Sequence, residues 1–183
     1  MIITFAIITI IYSLLILAFC YHWRDEDEPA TRISVDNPPL VSVIVAFRNE
    51  EKNLPALVES LLAQSYGKLE IILVNDHSDD NSLAVAKSYH DSRIKVIDAS
   101  DEVVGKKAAL KLGYEKSSGE ILYFTDADCI LKRECIETII AEMLGNKYAM
   151  ACGPVCYSNS KGFFNGIVQL EFLSLTGSGA AGF

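Results

Sequence analysis

The chain is poor in basic residues and in cysteine, and each shortage excludes a class of protein. Lysine and arginine number 16 against 24 aspartates and glutamates, which gives a formal net charge of −8 over 183 residues. Nucleic-acid binding requires clustered cations that neutralise phosphates, so we predict no nucleic-acid partner. Five cysteines, an odd number, are too few and too scattered for a disulfide-stabilised scaffold. What remains is an acidic chain, half apolar, of the globular type.

The first 23 residues lack any charged side chain. About 20 apolar residues at 1.5 Å rise cover the roughly 30 Å hydrocarbon core of a bilayer, so we predict a transmembrane helix over residues 1–23. A cleaved signal peptide is the alternative, but the segment has no basic start and no small-residue cleavage site. Arg24 follows this span and no basic residue precedes it. The sequence therefore predicts a single-pass membrane anchor with the folded domain in the cytoplasm.

The remainder predicts a linker over residues 24–39, where prolines interrupt any apolar period, and one folded domain over residues 40–183. The predicted strands are Leu40–Ala46, Leu69–Asn75, Arg93–Asp98, Glu120–Thr125 and Tyr148–Cys156. The predicted helices are Glu51–Gln64, one that ends near Tyr89, Lys106–Lys116, Arg133–Leu144 and Phe164–Leu175. This alternation indicates an α/β fold with a parallel sheet and helices on both faces.

Polar residues follow the predicted strands, at the edge where open α/β sheets bind ligands. Glu50 follows the first strand and can accept hydrogen bonds from a ribose or a base, although acids also favour helix starts. Asp76 follows the second strand and can accept from the imide-type N–H of a base, although such residues are also common in turns. Lys106 opens a helix, where a bound phosphate would offset its repulsion by the helix dipole; the alternative is a solvated lysine.

Asp126 and Asp128 flank Ala127 directly after the fourth predicted strand. In extended backbone, residues i and i+2 point to the same side, so we expect the two carboxylates to converge. Carboxylate pairs of this kind bind Mg²⁺ or Mn²⁺ together with substrate phosphates. A lone pair with this spacing is common by chance, and the prediction therefore depends on its position after a buried strand.

Four segments in order resemble the family-2 glycosyltransferases, which are inverting enzymes with the GT-A fold, a Rossmann-like sheet. Val41–Glu51 resembles the opening strand and its N-E-E, Ile72–Ser82 the V-D-D-G-S-x-D-x-S segment, Gly105–Leu110 the G-K-x-x-A-L segment, and Thr125–Asp128 the D-x-D. The resemblance implies a nucleotide-sugar pocket lined by Ala46, Arg48, Glu50, Asp76, Lys106 and Asp126. It also implies that Asp76 recognises the base and that Asp126 and Asp128 hold a divalent cation, Mn²⁺ or Mg²⁺.

The implied reaction is the transfer of a sugar, with inversion, from a nucleotide-sugar to a glycan or lipid acceptor, with a UDP-sugar favoured as donor. His77 departs from the family pattern: it stands where glycine is usual, and a positive φ is harder for histidine. No aspartate follows Asp128, whereas the family places its catalytic base in a carboxyl-terminal acceptor half. The resemblance thus implies the donor-binding half of a longer enzyme.

Two alternatives remain open at this point. The first is a non-catalytic module that binds a nucleotide-sugar or pairs with another subunit. The second is a nucleotidyltransferase on a related sheet, although that class usually opens with a glycine-rich phosphate loop, and here the first strand leads into Phe47-Arg48-Asn49-Glu50 instead.

Overall fold

The computed structural model describes residues 2–23, 37–153, 155–156, 162 and 164–169. The chain divides into two compact units, one of Met1–Thr31 with Met150–Phe183 and the other of Arg32–Ala149. The first unit contains helix α1 (Ile2–Trp23) and a short helical stretch over residues 164–169. No helix among the described residues is both long and apolar enough to cross a membrane, so the structure does not support the predicted anchor over residues 1–23. Most of the predicted linker, residues 24–36, lies outside the described residues.

The second unit is built on a parallel sheet, as the sequence predicts. Its described strands are β1 (Val41–Phe47), β2 (Leu69–Asn75), β3 (Ile94–Asp98) and β4 (Ile121–Phe124), in the spatial order β3-β2-β1-β4. Each neighbouring pair is parallel. The helices of this unit are α2 (Leu54–Leu62), α3 (Ser82–Lys87), α4 (Lys106–Glu115) and α5 (Cys135–Gly145). Strands and helices therefore alternate along the chain.

The predicted fifth strand, Tyr148–Cys156, is wrong over its described residues, because none of them lies in a strand. The backbone beyond α5 makes hydrogen bonds to the end of that helix. The Tyr148 N–H donates to the Met143 carbonyl at 2.9 Å, and Lys147 takes a left-handed conformation with φ 58°. The start of the apolar segment therefore caps a helix, a local interaction that competes with strand pairing.

Apolar side chains cover both faces of the sheet, because alternate strand residues point to opposite sides. Val43 and Ile71 belong to a large cluster on one face, which includes Leu57 of α2 and Ile136 of α5. The other face carries a smaller cluster in which Ala109 of α4 packs with the following strand residues: Ile44, Ala46, Ile72 and Val74. All seven residues of β1 are buried, which explains a sequence that is apolar except for Ser42. Helices therefore pack on both faces of the sheet, as the sequence predicts.

A hydrogen-bonded group, which we call the Glu70 cluster, joins the amino-terminal ends of the strands. It consists of Ser42, Glu70, Ser118 and Gly119. The Ser42 hydroxyl donates to Glu70 Oε1, and the Gly119 N–H donates to Ser42 Oγ at 2.8 Å and to Glu70 Oε1 at 2.9 Å. Ser118 donates its N–H to Oε1 at 2.5 Å and its hydroxyl to Oε2 at 2.9 Å. Burial works to raise the pKa of Glu70, but these hydrogen bonds outweigh it and lower the pKa below its usual value.

Candidate functional site

The carboxyl ends of β1 and β2 lead into two loops, residues 48–53 and 76–81, that are hydrogen-bonded to each other. Asn49 takes a left-handed conformation with φ 57°, which favours asparagine over most residues. Its side-chain oxygen accepts the Asp79 N–H at 2.8 Å, and its own N–H donates to Ser78 Oγ at 3.1 Å. These contacts join segments about 30 positions apart in the sequence.

Three further hydrogen bonds join the same two segments of the chain. The Glu50 N–H donates to Ser82 Oγ at 2.8 Å, and the Glu51 N–H donates to Asp80 Oδ2 at 3.2 Å. In return, Glu51 Oε2 accepts the Asn81 N–H at 3.2 Å. The short polar residues that the sequence presents as an ordinary turn therefore hold the loop that carries Glu50. Sequence reasoning assigned these residues no role; the signal was two polar runs at the ends of two adjacent parallel strands.

Asp76 is buried at the end of β2, with 5% of its surface exposed. Its N–H donates to the Phe47 carbonyl at 2.9 Å, which continues the pairing of β1 with β2 by one residue. Its Oδ1 accepts the Gly105 N–H at 2.9 Å. Gly105 has φ 92°, a conformation that side chains disfavour, so glycine allows the backbone to present this N–H at the start of α4.

His77 takes the left-handed conformation that its position in the turn demands, with φ 56°. Its Nδ1 lies 3.3 Å from Asp76 Oδ1, and its Nε2 lies 3.8 Å from Asp101 Oδ1. The Nε2 atom is buried and has no hydrogen-bond partner in the described part of the chain. The imidazole is thus placed between two carboxylates.

The backbone that carries Asp126 and Asp128 differs from the extended form that the sequence predicts. Strand β4 ends at Phe124, and the chain then turns, with the Cys129 N–H donating to the Asp126 carbonyl at 3.2 Å. Ala127 is 5% exposed and packs into the large apolar cluster, so it anchors the turn. Both aspartates remain exposed on either side of that anchor, in a turn rather than in extended backbone.

Lys106, the first residue of α4, donates from Nζ to Asp126 Oδ1 at 2.7 Å. Both side chains are more than half exposed, at 60% and 56%. An ion pair in such a setting contributes about 0–1 kcal/mol to stability, so its role in holding the fold is small. The pair nevertheless brings the amino terminus of α4 to the turn after β4.

These elements enclose a cleft of about 260 Å³ at the carboxyl ends of β1, β2 and β4. The residues that line it are Ala46, Phe47, Arg48, Glu50, Asp76, Lys106, Asp126, Ala127 and Asp128. The structure therefore brings together every site residue that the sequence predicts. The two lining residues that the sequence analysis did not select, Phe47 and Ala127, are buried members of the apolar core.

The cleft carries two cations, Arg48 and Lys106, against four carboxylates. No group of three or more histidine, cysteine, aspartate or glutamate side chains in the described part of the chain is arranged to hold a metal ion. Asp126 and Asp128 fit a hard cation only as a partial ligand set, completed by oxygens from a bound phosphate or from water. A polyanionic ligand would fit this cleft together with a cation that offsets the excess of carboxylates.

Residues 42–179 match the protein family described as "Glycosyl transferase family 2". Among curated proteins, "Glycosyltransferase GlyG" of Streptococcus pneumoniae is 35% identical over 106 residues, covering 57% of this chain and 35% of the relative. "4,4'-diaponeurosporenoate glycosyltransferase" of Staphylococcus aureus is 31% identical over 134 residues, covering 71% and 35%. The chain spans between 18% and 51% of the length of such relatives.

Two solved structures resemble the chain in fold. S. aureus TarS 1–349 in complex with UDP-GlcNAc has a TM-score of 0.55 and 21% identity, covering 66% of this chain and 38% of that one. Mannosyltransferase PcManGT from Pyrobaculum calidifontis, in complex with GDP-Man and Mn²⁺, has a TM-score of 0.57 and 22% identity, covering 86% and 48%. Identity at this level shows a shared fold, an α/β architecture of the GT-A type.

Proposed function

Because the chain belongs to glycosyl transferase family 2, we propose that its cleft binds the nucleotide-sugar donor of a sugar-transfer enzyme. The observation that carries the proposal is the convergence of Glu50, Asp76, Lys106 and the Asp126–Asp128 pair, from four separate segments, on one cleft. The cleft lies beyond the carboxyl ends of parallel strands, where α/β folds bind nucleotides. TarS and PcManGT, which share the fold, were solved with UDP-GlcNAc and GDP-Man.

We assign Asp76 to the base. Its Oδ1 is occupied by the Gly105 N–H, and none of the described residues donates to its Oδ2. A carboxylate oxygen that no protein group occupies is suited to accept an imide-type N–H, which uracil and guanine both present. We favour a UDP-sugar. Arg48 and Glu50 also line the cleft, and the Asn53 amide donates to Glu50 Oε2 at 2.7 Å.

We assign Lys106, Asp126 and Asp128 to the diphosphate and its divalent cation, Mn²⁺ or Mg²⁺. When bound, such a cation offsets the negative charge that develops on the leaving diphosphate. Lys106 is paired with Asp126 by a single exposed contact, which costs little to exchange for a phosphate oxygen. The lysine would then stabilise the same developing charge from the amino terminus of α4.

The proposed reaction transfers the sugar, with inversion at the anomeric carbon, to a hydroxyl of a glycan or lipid acceptor. Inversion by a single displacement requires a general base that takes the proton of the attacking hydroxyl. The described cleft residues have donor-side roles in this scheme, and we assign none of them as that base.

The test is calorimetric titration of the full chain with UDP and with GDP, each with and without Mn²⁺. It compares the wild-type protein with Asp128→Asn and with the control Glu102→Gln, which removes an exposed carboxylate outside the cleft. We expect Mn²⁺-dependent nucleotide binding that Asp128→Asn weakens at least about tenfold and the control leaves unchanged. Absence of binding to either nucleotide by folded wild-type protein would overturn the donor site. Binding without metal dependence would retain that site and remove the metal assignment.

A further inference from the structure

We propose that His77 is a positioning residue that holds Asp76 for base recognition and links it to the loop before α4. The inference depends on the proposed donor site, because it assigns His77 a role in the same nucleotide contact. Three features of residue 77 bear on this role: the residue type, the backbone conformation and the side-chain contacts.

The backbone alone does not explain a histidine at this position. With φ 56°, residue 77 lies in the left-handed region, which glycine adopts without steric cost and histidine does not. A side chain that persists against this preference is expected to make a compensating interaction. The available interactions are with Asp76 and Asp101.

The contact with Asp76 fixes which of its oxygens remains free. His77 Nδ1 lies 3.3 Å from Asp76 Oδ1, the same oxygen that accepts the Gly105 N–H at 2.9 Å. With the proton on Nδ1, both donors hold Oδ1 and leave Oδ2 for the base. The Asp76 side chain, which is 8% exposed, then has little freedom to rotate.

The other side of the imidazole faces the loop that leads into α4. The buried Nε2 atom lies 3.8 Å from Asp101 Oδ1, beyond hydrogen-bond distance but close enough for the two groups to attract when the ring is charged. Four residues later, Gly105 donates to Asp76 and Lys106 lines the diphosphate end of the cleft. His77 and Gly105 therefore fasten the base-recognising carboxylate to the loop that positions Lys106.

The experiment uses the nucleotide, UDP or GDP, that binds the wild-type chain more tightly, the same nucleotide methylated on its imide nitrogen, and pyrophosphate, all with Mn²⁺. The variants are His77→Gly, which removes both contacts, and His77→Asn, which tolerates positive φ and keeps an N–H donor close to the place of Nδ1. We expect His77→Gly to weaken nucleotide binding by about fivefold to tenfold, the value of one hydrogen bond. We expect His77→Asn to restore most of that loss.

Two comparisons separate positioning from a general effect on folding. Pyrophosphate binding should be unchanged in both variants, because pyrophosphate makes no contact with Asp76 and the Gly105 N–H still joins the loop of Lys106 to Asp76. The methylated nucleotide, which lacks the imide donor, should bind equally weakly to all three proteins. If His77→Gly does not fold, Asp101→Ala provides a second test: it removes the carboxylate beside Nε2 and should weaken nucleotide binding by less than about fivefold, with pyrophosphate binding unchanged. Unchanged nucleotide binding in Asp101→Ala would then overturn the link to the loop.

The outcomes distinguish this inference from the proposed function. A wild-type chain that binds neither nucleotide overturns both. Wild-type binding that His77→Gly leaves unchanged overturns the role of His77 alone. An equal loss for nucleotide and for pyrophosphate shows that His77 only supports the fold, and this result also overturns the inference.

Discussion

Gly119→Ala is expected to destabilise the protein strongly, although it adds only one methyl group. A Cβ at this position would lie 2.3 Å from Ser42 Oγ, 2.6 Å from the Ser42 backbone nitrogen and 2.8 Å from the Leu40 carbonyl oxygen. The Leu40 carbonyl also accepts the Glu120 N–H at 2.9 Å, where β4 begins to pair with β1. Because two of the three contacts are with backbone atoms, one in β1 and one in the residue before it, no change of side-chain rotamer can relieve them.

The cost follows from this geometry. Overpacking of a closed site costs about 1–3 kcal/mol, and the shift also disturbs the hydrogen bonds from Gly119 to Ser42 and Glu70. We therefore expect the free energy of unfolding to fall by about 3 kcal/mol, equivalent to a Tm lower by roughly 10 °C for a domain of this size. Gly67→Ala is the matched control, because no atom lies within 4 Å of its added Cβ. It should be neutral or stabilising by up to about 1 kcal/mol.

The assay is urea unfolding of the full chain, followed by circular dichroism at 25 °C. A third protein, Gly119→Ala combined with Ser42→Ala, removes the hydroxyl and retains both backbone contacts, so it should not recover stability. A free energy for Gly119→Ala within about 0.5 kcal/mol of the Gly67→Ala value would refute the reasoning. Recovery in the double variant would show that the collision is with the hydroxyl and not with the backbone of β1.

Three further predictions concern charge, the cleft and the core. The pKa of Glu70 is lowered in the folded protein, so the carboxylate stabilises the fold at pH values above its unfolded-state pKa of about 4.5. This stabilisation is lost as the pH falls through the lower folded pKa. The difference in unfolding free energy between wild-type protein and Glu70→Gln should therefore shrink below about pH 4.5 in urea titrations. Lys106→Ala should change the free energy of unfolding by less than about 1 kcal/mol, because its pair with Asp126 is exposed, yet weaken Mn²⁺-dependent nucleotide binding in calorimetry; unchanged binding would remove Lys106 from the donor site. Ile71→Ala, in a fully buried strand position, should lower the unfolding free energy by about 2–5 kcal/mol, and a loss below about 1 kcal/mol would contradict its place in the core.

The sheet could be predicted from sequence because its strands are buried on both faces. Val41–Phe47 is nearly uninterrupted in its apolar character, and every residue of it is buried. The same physics made Tyr148–Cys156 look like a strand, and there it was wrong, because the Tyr148 N–H caps α5. An apolar run indicates that a segment is suited to burial. It does not indicate which carbonyl groups will accept the backbone N–H groups of that segment.

Glu50, Asp76 and Asp126 could be predicted because each follows a strand, and parallel strands end at one edge. Their assembly into one cleft is described by the structure, while their roles toward a ligand stay predictions. What the sequence could not provide were the partners of short polar residues. Ser78 and Asp80 contact the loop after β1, about 30 positions away, and nothing local indicates that pairing. The turn at Ala127 was missed for the same reason, since its anchor is a tertiary contact.

The hydrogen bonds between residues 48–53 and residues 76–82 make the two segments one structural unit. The Glu50 N–H donates to Ser82 Oγ, and Glu51 Oε2 accepts the Asn81 N–H, so replacement of Ser82 or Glu51 leaves an N–H of the opposite segment without its partner. A laboratory that transplants a donor loop from a relative into this chain would have to transplant both halves together. The side chains that accept these N–H groups are those of Asn49, Glu51, Ser78, Asp80 and Ser82, and a library randomised at these positions should accordingly be depleted of folded members.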